Sequence, residues 1–571
     1  MTKLKNPQSS ELLEVIKTSK HAFYFAGLVS LFINLLMLVP SLYMLQLYDR
    51  VLASRSQETL LMLTLIVVVM FGVMGTLEFV RSRILIRVGN TIDSKMSTRL
   101  FNTMFALANK TPGKSTSQPL SDLTQIRQFL TGTPLFAFFD APWIPIYIAI
   151  MFMFHYWLGW FAIFAAIIAF ALTIINEKRT KKSLEESNRY FQQSQSFIQT
   201  SLRNSEIIEA MGMHANVRNR WYKRYIAFLN EQSRASDEAG LWSNLSKTTR
   251  MLMQSLVLGL GGYLAIVGEM SPGMMIAGSI LMGRALAPID LMTSTWKQFS
   301  GARSAYARLN KLLDEFPEAA KPTPLPDPKG FIDLESIVVL PPESKVPSLK
   351  GISLSIKAGE IVGIIGPSAA GKSSLARAVL GVWPLYSGKV RIDGAEIGHY
   401  DRGILGSFIG YLPQDIELFD GTITENIARY EDPKPEMVVE AAMVAGVHEM
   451  ILQLPKGYDT PIGPGGVALS GGQRQRIGLA RALYGYPKIV VLDEPNSNLD
   501  DAGERALVQA VSEMKKRNIT VLLITHRPSI LGIADKIALL REGQLQLFGT
   551  RDEVMAALAP KPAVSTQGNE A

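Results

Sequence analysis

Residues 366–374 read Gly366-Pro367-Ser368-Ala369-Ala370-Gly371-Lys372-Ser373-Ser374. A glycine, four residues and then Gly-Lys-Ser is the spacing of a phosphate-binding loop. The apolar run 361–365 before it reads as a buried strand, and residues 375–380 after it read as a helix start. Strand, loop and helix in that order are the context the motif needs. The glycines let main-chain N–H groups crowd round phosphate oxygens, and the helix N-terminus adds positive potential. Lys372 can reach β- and γ-phosphates, and the Ser373 hydroxyl can ligate Mg²⁺. A Gly/Ser turn fitting the pattern by chance is the plain alternative, and the rest of the chain decides against it.

At 571 residues the chain is too long for one hydrophobic core. Hydrophobic residues make up 47% and charged ones only 19%, which points away from disorder and towards partial membrane embedding. There is no cysteine, so disulfides and thiolate metal sites are excluded. The net charge of +8 fits nucleic acid or an anionic membrane surface, and its placement chooses between them. No cleaved signal peptide is expected, because the first apolar run leads into further spans.

Six apolar runs read as membrane spans, the first of them long enough to cross a bilayer core of about 30 Å. They cover residues 22–45, 60–80, 134–154, 160–175, 251–267 and 274–292. A brief loop, 46–58, joins the first two. An aromatic turn at His155, Tyr156 and Trp157 and a tight turn at Ser271, Pro272 and Gly273 join the next pairs. The polar segments 81–132 and 176–250 are long and read as helical extensions of the spans. Their reversals are expected near 111–122 and 212–219, as solvated hairpins or as docking surfaces for an ATPase domain. Lys3, Lys5, Lys17, Lys20 and the many Lys and Arg residues of the long segments contrast with Arg50 and Arg55 alone in the short loops. Positive charge marks the cytoplasmic side, so both termini and both long segments are expected there. That topology accounts for much of the charge and leaves no role for nucleic acid. Asp140, Arg284 and Asp290 lie inside spans, where charge is costly. They either line a path through the membrane, or else pair with each other between helices or sit near an interface, and the second reading is preferred.

Residues 315–329 are proline-rich and read as a linker. From Gly330 the composition is that of an α/β domain, expected to run to 559 before a disordered tail at 560–571. Strands are expected at 331–334, 352–356, 360–365, 389–392, 408–412, 489–492, 520–524 and 536–540, with helices between them as in a doubly wound sheet. Further motifs stand in order along this half. Tyr411-Leu412-Pro413-Gln414 comes first. Leu469-Ser470-Gly471-Gly472-Gln473 precedes Arg474-Gln475-Arg476 and an apolar helix. The apolar strand 489–492 ends in Asp493 and Glu494. Ser497-Asn498-Leu499-Asp500 follows, and the strand 522–525 ends at His526. Asp493 can hold a Mg²⁺ shell, Glu494 can act as general base on the attacking water, and Gln414 can bridge metal and water. Each has a plainer reading: a helix-start turn for Ser470 to Gln473, a cap for Glu494, a satisfied strand-end residue for His526. Six matches in order and in the right contexts outweigh these.

With these residues in place the chain resembles the ABC exporter family over nearly its full length, the Leu469–Gln473 run being that family's signature. The resemblance implies a multi-domain membrane protein: a six-helix all-α transmembrane domain at 21–314 after a cytoplasmic segment 1–20, fused to an α/β P-loop ABC ATPase domain at 330–559. It implies a homodimer in which ATP lies between the phosphate loop of one subunit and Ser470, Gly471, Gly472 and Gln473 of the other. Asp500 joins that nucleotide site and His526 joins Glu494 and Gln414 in catalysis. Ser373, Gln414 and Asp493 hold Mg²⁺, and closing the sandwich switches the membrane half from inward- to outward-facing. The runs 138–147 and 271–288 look like the exporters of type I secretion systems, in the group exporting proteases, lipases and haem-binding proteins. That likeness implies a bacterial inner-membrane location, a periplasmic adaptor, an outer-membrane channel and an unfolded polypeptide carrying a C-terminal signal. Only about twenty residues precede the first span, leaving no room for an N-terminal peptidase domain. Three departures are visible. Leu340 stands where many members have an aromatic that stacks on adenine, Pro464 where a coupling glutamate is frequent, and Ala369, expected to be harmless, where glycine is frequent. Export of lipids or small amphiphiles is the alternative substrate reading, and a non-transporting regulatory ATPase the alternative of another class.

Overall fold

The computed structural model describes residues 11–110, 117–318, 325–342, 344–463 and 468–558. The segments 1–10, the linker residues 319–324, Pro464 and the tail from 559 lie outside them. The chain forms two compact units, Met1–Phe105 with Thr116–Pro317 and Ala106–Ser115 with Glu318–Ala571.

Six helices among the described residues of the first unit are long and apolar enough to cross a membrane: Lys20–Ser54, Gln57–Lys110, Thr133–Phe154, Tyr156–Arg203, His214–Val267 and Pro272–Glu315. At 1.5 Å per residue the 54-residue Gln57–Lys110 helix runs about 81 Å, far beyond a bilayer core. The long polar segments are thus the span helices continued. The expected reversal at 212–219 falls earlier. A short helix, Ser205–Ala210, carries the turn, Gly212 adopts φ +62°, and the next helix already starts at His214. Half of the other expected turn, residues 111–116, lies outside the described residues, and the remainder is already helical from Gln118. The loop expected at 46–58 is shorter. Helix persists through a π-turn, Leu47–Val51, as far as Ser54, and the break falls at Arg55, at φ 55°. The third span is two pieces, Thr133–Asp140 and Ile144–Phe154, joined by the 3₁₀ turn Ala141–Trp143.

The N-terminal segment, read only as polar, contains a helix, Glu11–Thr18. Leu12, Val15 and Ile16 recur at helical spacing and give it an apolar stripe. Leu12 is fully buried in a cluster with Ile92, Met96, Leu100, Leu309 and Leu313. Arg99 Nε donates to Glu11 Oε1 at 3.0 Å and locks the same contact. At the opposite end, Ser271 caps the Pro272–Glu315 helix, its hydroxyl accepting from Met274 N (3.2 Å). That hydroxyl donates to Asp49 Oδ2 (2.6 Å), and Gly273 N donates to Asp49 Oδ1 (2.9 Å). A Cβ on Gly273 would fall 2.6 Å from the Asp49 carboxylate, so glycine permits the close approach.

The second unit contains β1 Ile332–Val339, β2 Leu349–Ile356, β3 Ile361–Ile365, β4 Ser387–Ile392, β5 Ala395–Glu396, β6 Ile409–Leu412, β7 Gly421–Thr422, β8 Pro461–Ile462, β9 Ile489–Asp493, β10 Thr520–Ile524, β11 Lys536–Arg541 and β12 Gln544–Thr550. They do not form the single doubly wound sheet expected. One sheet has the order β2-β1-β4-β5 and is antiparallel; a second has the order β12-β11-β3-β10-β9-β6, and only β12 runs against its neighbour; β7 and β8 form a separate antiparallel pair. Burial explains the division. Every residue of β9 and β10 is buried, as covered parallel strands require, whereas β2 alternates buried and exposed positions as one-faced antiparallel strands do. The strand β12 was not anticipated, although it pairs with β11 in a hairpin that runs from Lys536 opposite Thr550 to Arg541 opposite Gln544.

Candidate functional site

Strand β3 delivers the phosphate loop and the helix Lys372–Val379 leaves it. Gly366 (φ +151°) and Gly371 (φ +100°) hold conformations open mainly to glycine. A Cβ would lie 2.1 Å from Leu540 O at the first and 2.7 Å from Ser348 O at the second. Ala369 sits at φ +62° without that freedom, so it is not harmless as expected. A left-handed alanine costs about 1–2 kcal/mol. Pro367, Ser368, Ala370 and Ser374 complete the loop and the first turn of its helix. Leu340 follows β1, whose Val339 O accepts from Ser348 N (2.8 Å). Since Ser348 O borders Gly371, the end of β1 lies beside the loop.

The described structure brings the sequence-predicted catalytic groups together. Lys372 Nζ donates to Gly366 O (2.7 Å) and Pro367 O (3.1 Å) and stands 2.9 Å from His526 Nε2. An ammonium has no lone pair to offer, so in this contact Lys372 Nζ is the donor and His526 Nε2 the acceptor. Burial pulls the Lys372 ammonium below the usual lysine range, with Glu494 and Asp493 opposing. Ser373 Oγ donates to Asp493 Oδ1 at 3.2 Å. Burial pushes the Asp493 carboxyl above the usual range, partly offset by that hydrogen bond. Glu494 follows β9 at φ +51°, a conformation that costs a non-glycine residue about 1–3 kcal/mol, and Glu494 N is anchored on Ile524 O (2.9 Å). Gln414 Nε2 donates to Glu494 Oε2 (2.9 Å), and His526 Nε2 lies 4.0 Å from Glu494 Oε1. Parallel strands β6, β9, β3 and β10 end at one edge of the sheet, which is why Gln414, Glu494, the loop and His526 converge.

Ser470 and Gln473 play a different part within the chain. Ser470 Oγ accepts from Gln473 N (3.2 Å) and Ser470 N donates to Gln473 Oε1 (2.8 Å), a capping box opening the helix Gly471–Leu483. Gly471 and Gly472 pass against Asn498. Asp500 Oδ1 accepts from Gly503 N (2.8 Å) and caps the helix Asp501–Lys516. Among the described residues no hydrogen bond joins these groups to the phosphate loop of the same chain. One residue went unnoticed in the sequence. Gln475 is buried, donates through Nε2 to Glu494 O (3.4 Å) and accepts at Oε1 from Asn498 N (3.0 Å). Its signal was no more than an amide between two arginines at the start of an apolar helix. A cavity of about 360 Å³ lined by Met437, Tyr486 and Arg517 contains none of these residues.

The loop fits a polyphosphate. Its close backbone approaches leave no room for side chains, and a buried ammonium stands at its mouth. Ser373 and Asp493 present two hard oxygens 3.2 Å apart, the donor type Mg²⁺ prefers.

In the first unit the intramembrane charges do not pair with each other as expected. Asp140 Oδ1 lies 3.5 Å from Arg81 Nη1 and accepts from Asn34 Nδ2 (2.8 Å). Arg81 also donates to Ser30 Oγ (3.1 Å), and Tyr147 OH donates to Asn34 Oδ1 (3.1 Å). Asp290 Oδ2 lies 2.6 Å from Arg250 Nε, and Asp290 Oδ1 accepts from Ser246 (3.0 Å). Both arginines were read as belonging to the polar segments. Helix continuing past the span brings them back within reach. Arg284 has no carboxylate within 4.0 Å among the described residues; its Nη1 lies 3.9 Å from Met37 Sδ.

The ABC transporter family matches residues 349–497, and the ABC transporter transmembrane region matches residues 23–287. The chain is 43% identical over 554 residues to the type I secretion system ATP-binding protein PrsD of Rhizobium meliloti (strain 1021), covering 97% of this chain and 95% of the relative. It is 30% identical over 550 residues to the alpha-hemolysin translocation ATP-binding protein HlyB of Proteus vulgaris, covering 95% of this chain and 77% of the relative. The fold is shared with a bacterial Atm1-family ABC exporter solved with ATP bound, at a TM-score of 0.81 and 22% identity, covering 95% of this chain and 99% of that one. The chain therefore belongs to the ABC transporters, as a multi-pass membrane protein that binds ATP and couples its hydrolysis to transport. Six apolar helices among the described residues and an α/β ATPase unit make up the fold it shares with that solved structure. Within it, the chain belongs to the ATP-binding proteins of type I secretion systems.

Proposed function

We propose that the chain exports unfolded polypeptides across a bacterial inner membrane, as the ATP-driven component of a type I secretion system. The observation that carries this reading is the 43% identity, along nearly the whole length, to a type I secretion ATP-binding protein. The protein works as a homodimer, with its termini and ATPase unit in the cytoplasm. The loop from Gly366 to Ser374 cradles the ATP phosphates, Lys372 neutralises them, and Leu340 flanks the base. Ser373, Asp493 and Gln414 hold Mg²⁺, which supplies charge neutralisation at the phosphates when bound. Glu494 takes a proton from the attacking water while Gln414 and His526 hold the water and the γ-phosphate edge. Ser470, Gly471, Gly472 and Gln473 of a second copy, with Asp500 close behind, complete each nucleotide site. Their place on a separate helix start, with no hydrogen bond among the described residues to their own phosphate loop, supports that division of labour. A periplasmic adaptor and an outer-membrane channel carry on the path, and a C-terminal signal selects the cargo.

The test is the ATPase rate of the purified protein in liposomes, titrated with unfolded C-terminal fragments of candidate secreted proteins. N-terminal fragments and added lipids serve as controls. A saturable rise with C-terminal fragments alone is the expected result. A rise with lipids alone would replace polypeptide export by lipid export.

A further inference from the structure

Arg284 stands twelve residues into the Pro272–Glu315 helix, about 18 Å along it, and so near the middle of a bilayer core of about 30 Å. An arginine side chain cannot reach water from that depth along the bilayer normal. A charge held there requires an anion or a wet cavity. The other intramembrane charges have theirs: Asp140 has Arg81 and Asp290 has Arg250. Arg284 has the Met37 sulfur at 3.9 Å and lies within electrostatic reach of Tyr147, with no carboxylate within 4.0 Å among the described residues.

Its surroundings on the helix are one-sided. Leu281 and Ala285 are buried in the bundle core, whereas Ile280, Arg284, Ala287 and Leu291 are half-buried. Those four recur at i, i+4, i+7 and i+11, which is one face of a helix. The strip is apolar apart from a single cation. A strip facing acyl chains would carry an unpaired guanidinium at great cost, and a strip sealed in the core would leave it buried without a partner. A strip lining a passage meets neither objection, provided that what passes brings the anion.

We propose that Arg284 is the point at which the transported chain is recognised inside the membrane, through Asp and Glu carboxylates. A guanidinium gives such carboxylates a two-pronged, charge-assisted contact that moves on as the next acid arrives. In a dimer there are two such arginines. This inference rests on the polypeptide-export reading, and it makes that reading specific: acidic unfolded segments are the favoured cargo.

The test uses the full-length protein in liposomes and two versions of one unfolded polypeptide that stimulates it. They share the C-terminal signal, and one has every upstream Asp and Glu replaced by Asn and Gln. The wild type is expected to respond to the acidic version at about tenfold lower concentration, the scale of one charge-assisted hydrogen bond. Arg284→Gln is expected to erase that difference, Arg284→Lys to keep most of it, and Arg284→Glu to reverse it. Equal response of the wild type to both versions overturns the inference and leaves polypeptide export standing, and so does an undiminished preference in Arg284→Gln. A wild type that responds to phosphatidylglycerol and to neither polypeptide overturns both. If Arg284→Gln does not fold, the wild-type preference and the lysine and glutamate variants decide.

Discussion

Gln414 Nε2 donates to Glu494 Oε2 across 2.9 Å, joining the end of β6 to the end of β9 through side chains. The carboxylate proposed as base is thereby aimed before any water reaches it. Replacing it by an amide keeps shape and phosphate loop and removes the proton acceptor. Glu494→Gln is expected to bind ATP as the parent does and to lose about 10²–10⁴-fold in turnover, the usual share of a general base. ATP binding by filtration and phosphate release by a coupled assay check this. Parental hydrolysis in the variant would remove Glu494 from the role.

Gln475 gives a separable prediction. Gln475→Leu keeps the volume but strips Asn498 N and Glu494 O of their partner. The carboxylate then loses its fixed main chain, while the nucleotide cradle is untouched. Turnover is expected to fall about tenfold, with KM for ATP within about twofold of the parent. A variant that merely unfolds would lose nucleotide binding as well.

The Asp493 carboxyl is held above its ordinary range by burial. Its folded form therefore binds its proton more tightly than the unfolded chain does. The stability it contributes is full below the ordinary carboxylate range, about pH 4, and is lost as pH rises through the raised value. At neutral pH the ionised group weighs against the metal-free fold. Asp493→Asn is expected to raise the melting temperature at pH 7 in the presence of a chelator. The gain should shrink as pH falls towards about 4, and Mg²⁺-dependent hydrolysis should be lost. Equal melting of variant and parent at pH 7 would contradict this. So would a gain that grows on acidification.

Leu12 lies fully buried among residues of three other helices. Leu12→Ala should weaken docking of the Glu11–Thr18 helix by about 2–5 kcal/mol, the range for buried leucine truncation. Hydrogen exchange across residues 11–18 is expected to speed up, while the ATPase unit melts as before. Unchanged exchange there would show that Arg99 and Glu11 alone hold the helix.

Motifs that need a particular main-chain shape were legible in the sequence, because only certain residues fit. Gly366, Gly371 and the carboxylates ending β9 lie where their spacing placed them. The division of the strands into separate sheets was not legible. The alternation in β2 and the unbroken burial of β9 depend on which face each strand covers, and order along the chain does not state that. The pairing of Arg81 and Arg250 with Asp140 and Asp290 was not foreseen, because both arginines stand just past the apolar runs, on the helical continuations, and spacing along the chain does not show which neighbouring helix they face. Gln475 was missed because an amide between arginines looks solvated until the turn carrying Asn498 folds over it. The Leu12 stripe was present but short, and its partners are some eighty and three hundred residues away.

Asp49 binds both the hydroxyl and the main chain that open the last span. The tip of the first span and the start of the sixth are therefore welded into one corner. Any motion that parts the bundle at that end has to carry the two helices as a single piece and open along other seams. A methyl group on Gly273 would break the weld and leave the two free to drift apart.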